Sequence, residues 1–124
     1  MVMMNCLFIT KELNSPAKIF TGPGEEKVRY DVADNQLVGI QKAQDKQYDV
    51  IVLDVVAVNF HIVDAIKIIK ECNPGARIIV RTDSNSKELE ARIRKEKIFY
   101  YHIKSFGIND FNLALASALN RNMH

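Results

Sequence analysis

Short apolar runs alternate along the chain with longer stretches whose apolar residues recur every three or four positions. Cys6 to Ile9 is a run of the first kind, closed by polar Thr10-Lys11-Glu12, and it predicts a strand buried on both faces. Val28 to Val32 alternates apolar with polar residues, as a strand at the edge of a sheet does. Tyr48-Asp49-Val50-Ile51-Val52-Leu53-Asp54 gathers β-formers that end abruptly in a carboxylate. It predicts a central parallel strand with an acid at its C-terminal end. Ala76 to Val80, with Thr82 beyond it, and Phe99 to Ile103 predict the fourth and fifth strands.

Between these runs the helical period takes over. Asn14 or Ser15 is placed to cap a short helix with Pro16 at its first position, and Thr21-Gly22-Pro23-Gly24 stops it. Asp34 to Lys46 sets Leu37, Ile40, Val38 and Ala43 on one face, and Ile62 to Cys72 does the same with Val63, Ala65, Ile66 and Ile69 before Asn73-Pro74-Gly75 ends it. Ser84 or Ser86 can cap Lys87 to Glu96, whose apolar positions are only Leu89, Ala91 and Ile93, so this helix is expected to be the most exposed. Ile108 to Asn120 forms the last helix and packs Phe111, Leu115 and Leu119.

Five strand-and-helix alternations predict an α/β fold of three layers, α/β/α: a doubly wound, five-stranded parallel sheet of flavodoxin-like type with helices on both faces. A length of 124 residues suits one domain spanning 1–124. The absence of any linker, repeat or low-complexity segment agrees with that.

Composition changes this picture little. Seventeen Lys and Arg against fifteen Asp and Glu leave a formal charge of +2, which gives no support for direct nucleic-acid binding. The cluster Arg92, Arg94, Lys95, Lys97 reads as a solvated helix face. The apolar N-terminus lacks a basic n-region and is cut short by Thr10-Lys11-Glu12, so neither a signal peptide nor a membrane span is expected and the chain is placed in the cytoplasm. Cys6 and Cys72 have no zinc-type spacing and are expected to be reduced and buried. His61 and His102 share no ligand spacing.

In a doubly wound sheet, ligands bind beyond the C-terminal ends of the strands where the strand order switches. Those ends carry Thr10-Lys11-Glu12, Asp54, Thr82 and Lys104: an acid, a hydroxyl and an amine. The trio suits acyl phosphate formation, with the carboxylate as nucleophile and the ammonium and hydroxyl taking up the transferred oxygens. Lys104 alone would be an ordinary surface charge, and Thr82 also suits a turn in Thr82-Asp83-Ser84-Asn85.

In these positions the chain resembles the receiver domain of two-component response regulators, which keeps an acceptor aspartate after the third strand, a Ser or Thr after the fourth and a lysine after the fifth. Tyr48 to Asp54, Ile78-Ile79-Val80-Arg81-Thr82 and Tyr101-His102-Ile103-Lys104-Ser105-Phe106 carry the likeness. It implies phosphorylation of Asp54, contact of Thr82 and Lys104 with the phosphoryl group, and a switch involving Thr82 and Tyr101. Tyr100 takes the place of Tyr101 if the register slips by one. Implied too are a sensor histidine kinase or phosphotransfer protein as donor and a downstream protein target. The output face would lie on the fourth helix, fifth strand and fifth helix. A phosphoacceptor of this kind is not an enzyme beyond transfer to its own aspartate, and no effector domain is expected after Asn120.

The resemblance fails after the first strand, where the family has two adjacent acids that hold magnesium. Here Thr10-Lys11-Glu12 leaves at most Glu12 to join Asp54 as a magnesium ligand, so magnesium is expected to bind weakly if at all, since a hard divalent ion wants several oxygens. Lys11 is expected to pair with Asp54 and supply the missing positive charge. Residues 55–62 also lack the family's Pro and Gly. A degenerate receiver that binds its partner without phosphorylation is therefore the alternative. A small flavodoxin-like enzyme or flavin carrier is the third reading, and it is disfavoured because Lys11-Glu12-Leu13 lacks the Ser, Thr or Gly residues that cradle a phosphate.

Overall fold

The computed structural model describes residues 3–11, 28–55, 61–83 and 86–119. Its sheet consists of β1 (Met4–Ile9), β2 (Val28–Ala33), β3 (Val50–Val55), β4 (Arg77–Thr82) and β5 (Tyr100–Ile103). All pairings are parallel, in the order β2-β1-β3-β4-β5. The central strand β3 is buried at every position, because helices cover both faces and leave no polar alternation to be seen in its sequence. The order reverses between β1 and β3, so the C-terminal ends of these two strands border the crevice where such sheets bind ligands.

Four helices are described: α1 (Gln36–Asp45), α2 (His61–Cys72), α3 (Lys87–Arg94) and α4 (Asn109–Leu119). The first three pack with Leu7, Ile51, Leu53 and Val80 on one face of the sheet. Phe111, Leu115 and Ala118 of α4 cover Cys6, Phe8, Val52 and Ile79 on the other. The Asn35 side chain caps α1 by accepting from the Val38 amide, and Ser86 caps α3 by accepting from Leu89, as short polar side chains at N-caps do. The turn after α2 is held by Asn73, fully buried, which accepts from the Tyr48 amide and donates to the Ala43 carbonyl, both at 2.6 Å.

Most expected elements are present within a residue or two. The helix expected over 14–20 and the irregular stretch after the third strand, apart from Val55, His61 and Ile62, lie outside the described residues. Two expectations change. Ala43, Val38 and Ile40 of α1 meet the core as expected, but Leu37 is 66% exposed and Gly39 is buried; a Cβ at Gly39 would stand 2.6 Å from Ile9 Cγ1, so the helix approaches β1 too closely for a large inward residue there. Cys6 and Cys72 are both free thiols, but only Cys6 is buried. Burial raises its pKa well above the ordinary thiol range.

Candidate functional site

Asp54 is the fifth residue of β3, and strand alternation gives its side chain the face on which Val50 and Val52 meet α4. The carboxylate is almost wholly enclosed, with 2% of its side chain exposed. An ionised carboxylate is costly to bury unless it is paired, and three side chains surround this one. The Thr10 hydroxyl, just past the end of β1, donates to Oδ2 at 2.7 Å. Lys104 Nζ, in the 3-10 turn Lys104–Phe106 that follows β5, lies 3.2 Å from the same oxygen. Arg81 Nη1 faces Oδ1 at 3.5 Å, and that oxygen accepts no hydrogen bond from the described residues.

The two cations differ in position. Lys104 retains 17% exposure and stands toward the mouth of the site, whereas Arg81 is 6% exposed and lies deep within it. The guanidinium sits over the Phe111 ring, 4.6 Å from its centroid, an arrangement favoured by the ring's negative face. The His102 ring lies 5.6 Å from Phe111 and 6.2 Å from Tyr100. Burial first, then the Arg81 charge, lowers the His102 pKa, so the imidazole is held neutral near physiological pH.

Of the residues expected at the site, Asp54 and Lys104 are in direct contact. Thr82 is fully buried one register step beyond Asp54, paired with Val55 and Ile103 while Asp54 pairs with Arg81. Tyr101 is buried in β5 with the Arg94 guanidinium 5.5 Å above its ring; burial, then the Glu90 charge, raises its pKa. Lys11 is exposed, and among the described residues the ion pairs of the Asp54 carboxylate are with Arg81 and Lys104. Glu12 lies outside the described residues. Arg81 was not singled out from the sequence, although an arginine at the end of Ile78-Ile79-Val80 is a visible anomaly. Its aim at Asp54 depends on the β3–β4 register, which pairs the two residues.

Magnesium does not fit what the described residues present. Thr10 stands beside Asp54 where a second carboxylate would be needed, and no group of three His, Cys, Asp or Glu is assembled among the described residues. A further cation would also meet Arg81 and Lys104. Two like unit charges 4 Å apart repel by about 4 kcal/mol at an effective dielectric of about 20. No described helix is long and apolar enough to cross a membrane.

No family model matches the chain, and no curated protein is similar to it in sequence. Solved structures do match. The receiver domain of NtrC4 from Aquifex aeolicus is 27% identical, with 94% of this chain and 96% of that one covered at a TM-score of 0.75. A CheY-like response regulator receiver domain protein from Methanospirillum hungatei is 16% identical, with 94% of each chain covered at 0.78. A response regulator from Burkholderia pseudomallei, solved with a phosphorylated aspartic acid, a calcium ion and citrate, is 19% identical, with 96% of this chain and 68% of that one covered at 0.71.

Proposed function

We propose that this chain, whose fold is that of response regulator receiver domains, works as a phosphoacceptor in a phosphorelay, with Asp54 as the acceptor. One observation carries the reading: a carboxylate at the end of the central strand, beside the switch in strand order, has a lysine ammonium 3.2 Å away. An Asp54 oxygen attacks the phosphorus of a phosphohistidine on a sensor kinase or phosphotransfer protein. The new O–P bond forms as the P–N bond breaks, and the departing imidazole keeps the electron pair and takes a proton. Lys104 neutralises the transferred oxygens. Thr82, at the end of the adjacent strand, turns its hydroxyl to the phosphoryl group, and Tyr101 answers that movement at the face made by α3, β5 and α4. Exposed Phe106, Ile108 and Leu113 border this face and offer apolar contact to a downstream protein. The whole sequence is one such domain, working in the cytoplasm.

The test is incubation with acetyl phosphate followed by intact mass measurement. The expected result is a gain of one phosphoryl group that hydroxylamine removes and that Asp54→Asn abolishes. A chain that gains no mass, or gains it equally in the variant, would end this reading and leave a module that binds its partner without phosphorylation.

A further inference from the structure

We infer that Arg81 occupies the place of the divalent cation in the phosphoryl site, so that Asp54 accepts a phosphoryl group without any metal. The inference rests on the receiver reading above and assigns the charge chemistry of the same site.

Oδ2 of Asp54 is committed to the Thr10 hydroxyl and the Lys104 ammonium. Oδ1 accepts no hydrogen bond from the described residues and keeps its lone pairs for an electrophile. Arg81 Nη1 is 3.5 Å from that oxygen, and so stands next to the atom that would bond to phosphorus. A guanidinium suits this position, because its planar fork matches the oxygens of a phosphoryl group and its charge is not lost at any ordinary pH. The Phe111 ring beneath it and its burial fix its orientation. An exposed arginine would have to be ordered on binding.

The charges also balance. At rest, among the described residues, one carboxylate faces two cations and the group carries one net positive charge, which favours an incoming anion. When the mixed anhydride forms, the carboxylate charge disappears and the phosphoryl oxygens bring two negative charges. Arg81 and Lys104 then neutralise the product completely. A divalent ion added to this set would leave an excess of two positive charges in a buried place.

Beryllofluoride, which adds to a carboxylate oxygen as a phosphoryl mimic, separates the possibilities. Backbone amide spectra of the full chain are titrated with it in magnesium and again in a chelator. The expected result is a dissociation constant that differs by less than about threefold between the two conditions, with Arg81→Gln weakening metal-free binding by about tenfold or more and Arg81→Lys, which keeps the charge but not the planar fork, weakening it by less. Wild-type binding that requires magnesium would overturn the inference and leave the receiver reading intact. Metal-free binding that survives in Arg81→Gln would overturn the role of Arg81 alone. Wild-type spectra that move in neither condition would overturn the receiver reading and this inference with it. The wild-type comparison decides even if a variant fails to fold.

Discussion

The Tyr101 hydroxyl is buried and finds no hydrogen-bond partner among the described residues, while the ring lies under the Arg94 guanidinium. A buried polar group left unsatisfied costs about 1–3 kcal/mol. Tyr101→Phe is therefore expected to raise stability by about 1 kcal/mol in urea denaturation; a loss of that size would mean that the hydroxyl is satisfied in solution. At the residue scale the sequence exposed part of the site and hid the rest. Asp54 and Lys104 were legible because each closes a strand of unmistakable pattern, and strand ends converge in this architecture. Thr10 and Arg81 were not, because a threonine and an arginine beside a strand end say nothing of the carboxylate until pairing brings them to it. Lys11 was the natural choice for the missing charge, yet it is exposed, and the buried arginine of a neighbouring strand stands at the carboxylate.

Among the elements, α1 shows what hydrophobic periodicity leaves out. Its pattern offers Leu37, Ile40, Val38 and Ala43 to the core, and Val38, Ile40 and Ala43 do pack there, but Leu37 is exposed and Gly39 is buried, since distance of approach as well as hydropathy selects the buried face. Ile9, against which Gly39 closes, immediately precedes Thr10, so this contact also supports the floor of the site. Gly39→Ala gains about 1 kcal/mol in helix propensity but forces a methyl group into the Ile9 side chain. The expected net result is a loss of about 1–2 kcal/mol, measured by chemical denaturation, and a variant more stable than the wild type would show that α1 moves aside freely. The strands and the remaining helices were legible to within a residue or two, because their apolar runs are long and their stops are strong. Asn73 ends α2 as its sequence suggests, but its second task of joining α1 to the start of β3 emerges only in three dimensions.

For the molecule as a whole, order and pairing of the strands follow from a repeated alternation that the sequence displays plainly, and the site follows from the order. Global stability carries a signature of the Arg81 neighbourhood. Burial of His102 among aromatic rings lowers its pKa from 6.5 most, the Arg81 and Lys104 charges lower it further, and Asp110 and a Gly107 backbone contact oppose them. Above the unfolded value the imidazole is neutral in both states; below it the unfolded chain takes up a proton that the folded chain declines. Stability is thus expected to fall as pH drops from about 7.5 to about 5.5, and urea midpoints should show a shallower fall in His102→Gln. Equal slopes in the two proteins would remove His102 as the cause. The enclosure of Asp54 has a consequence in time. A cover that keeps all but 2% of the acceptor side chain from solvent obstructs a phosphodonor, and the same cover obstructs the water that would hydrolyse the acyl phosphate. If Asp54 is the acceptor proposed above, loading and decay are slowed by one barrier, and the acyl phosphate is expected to outlast the donor's removal in a decay time course followed by intact mass.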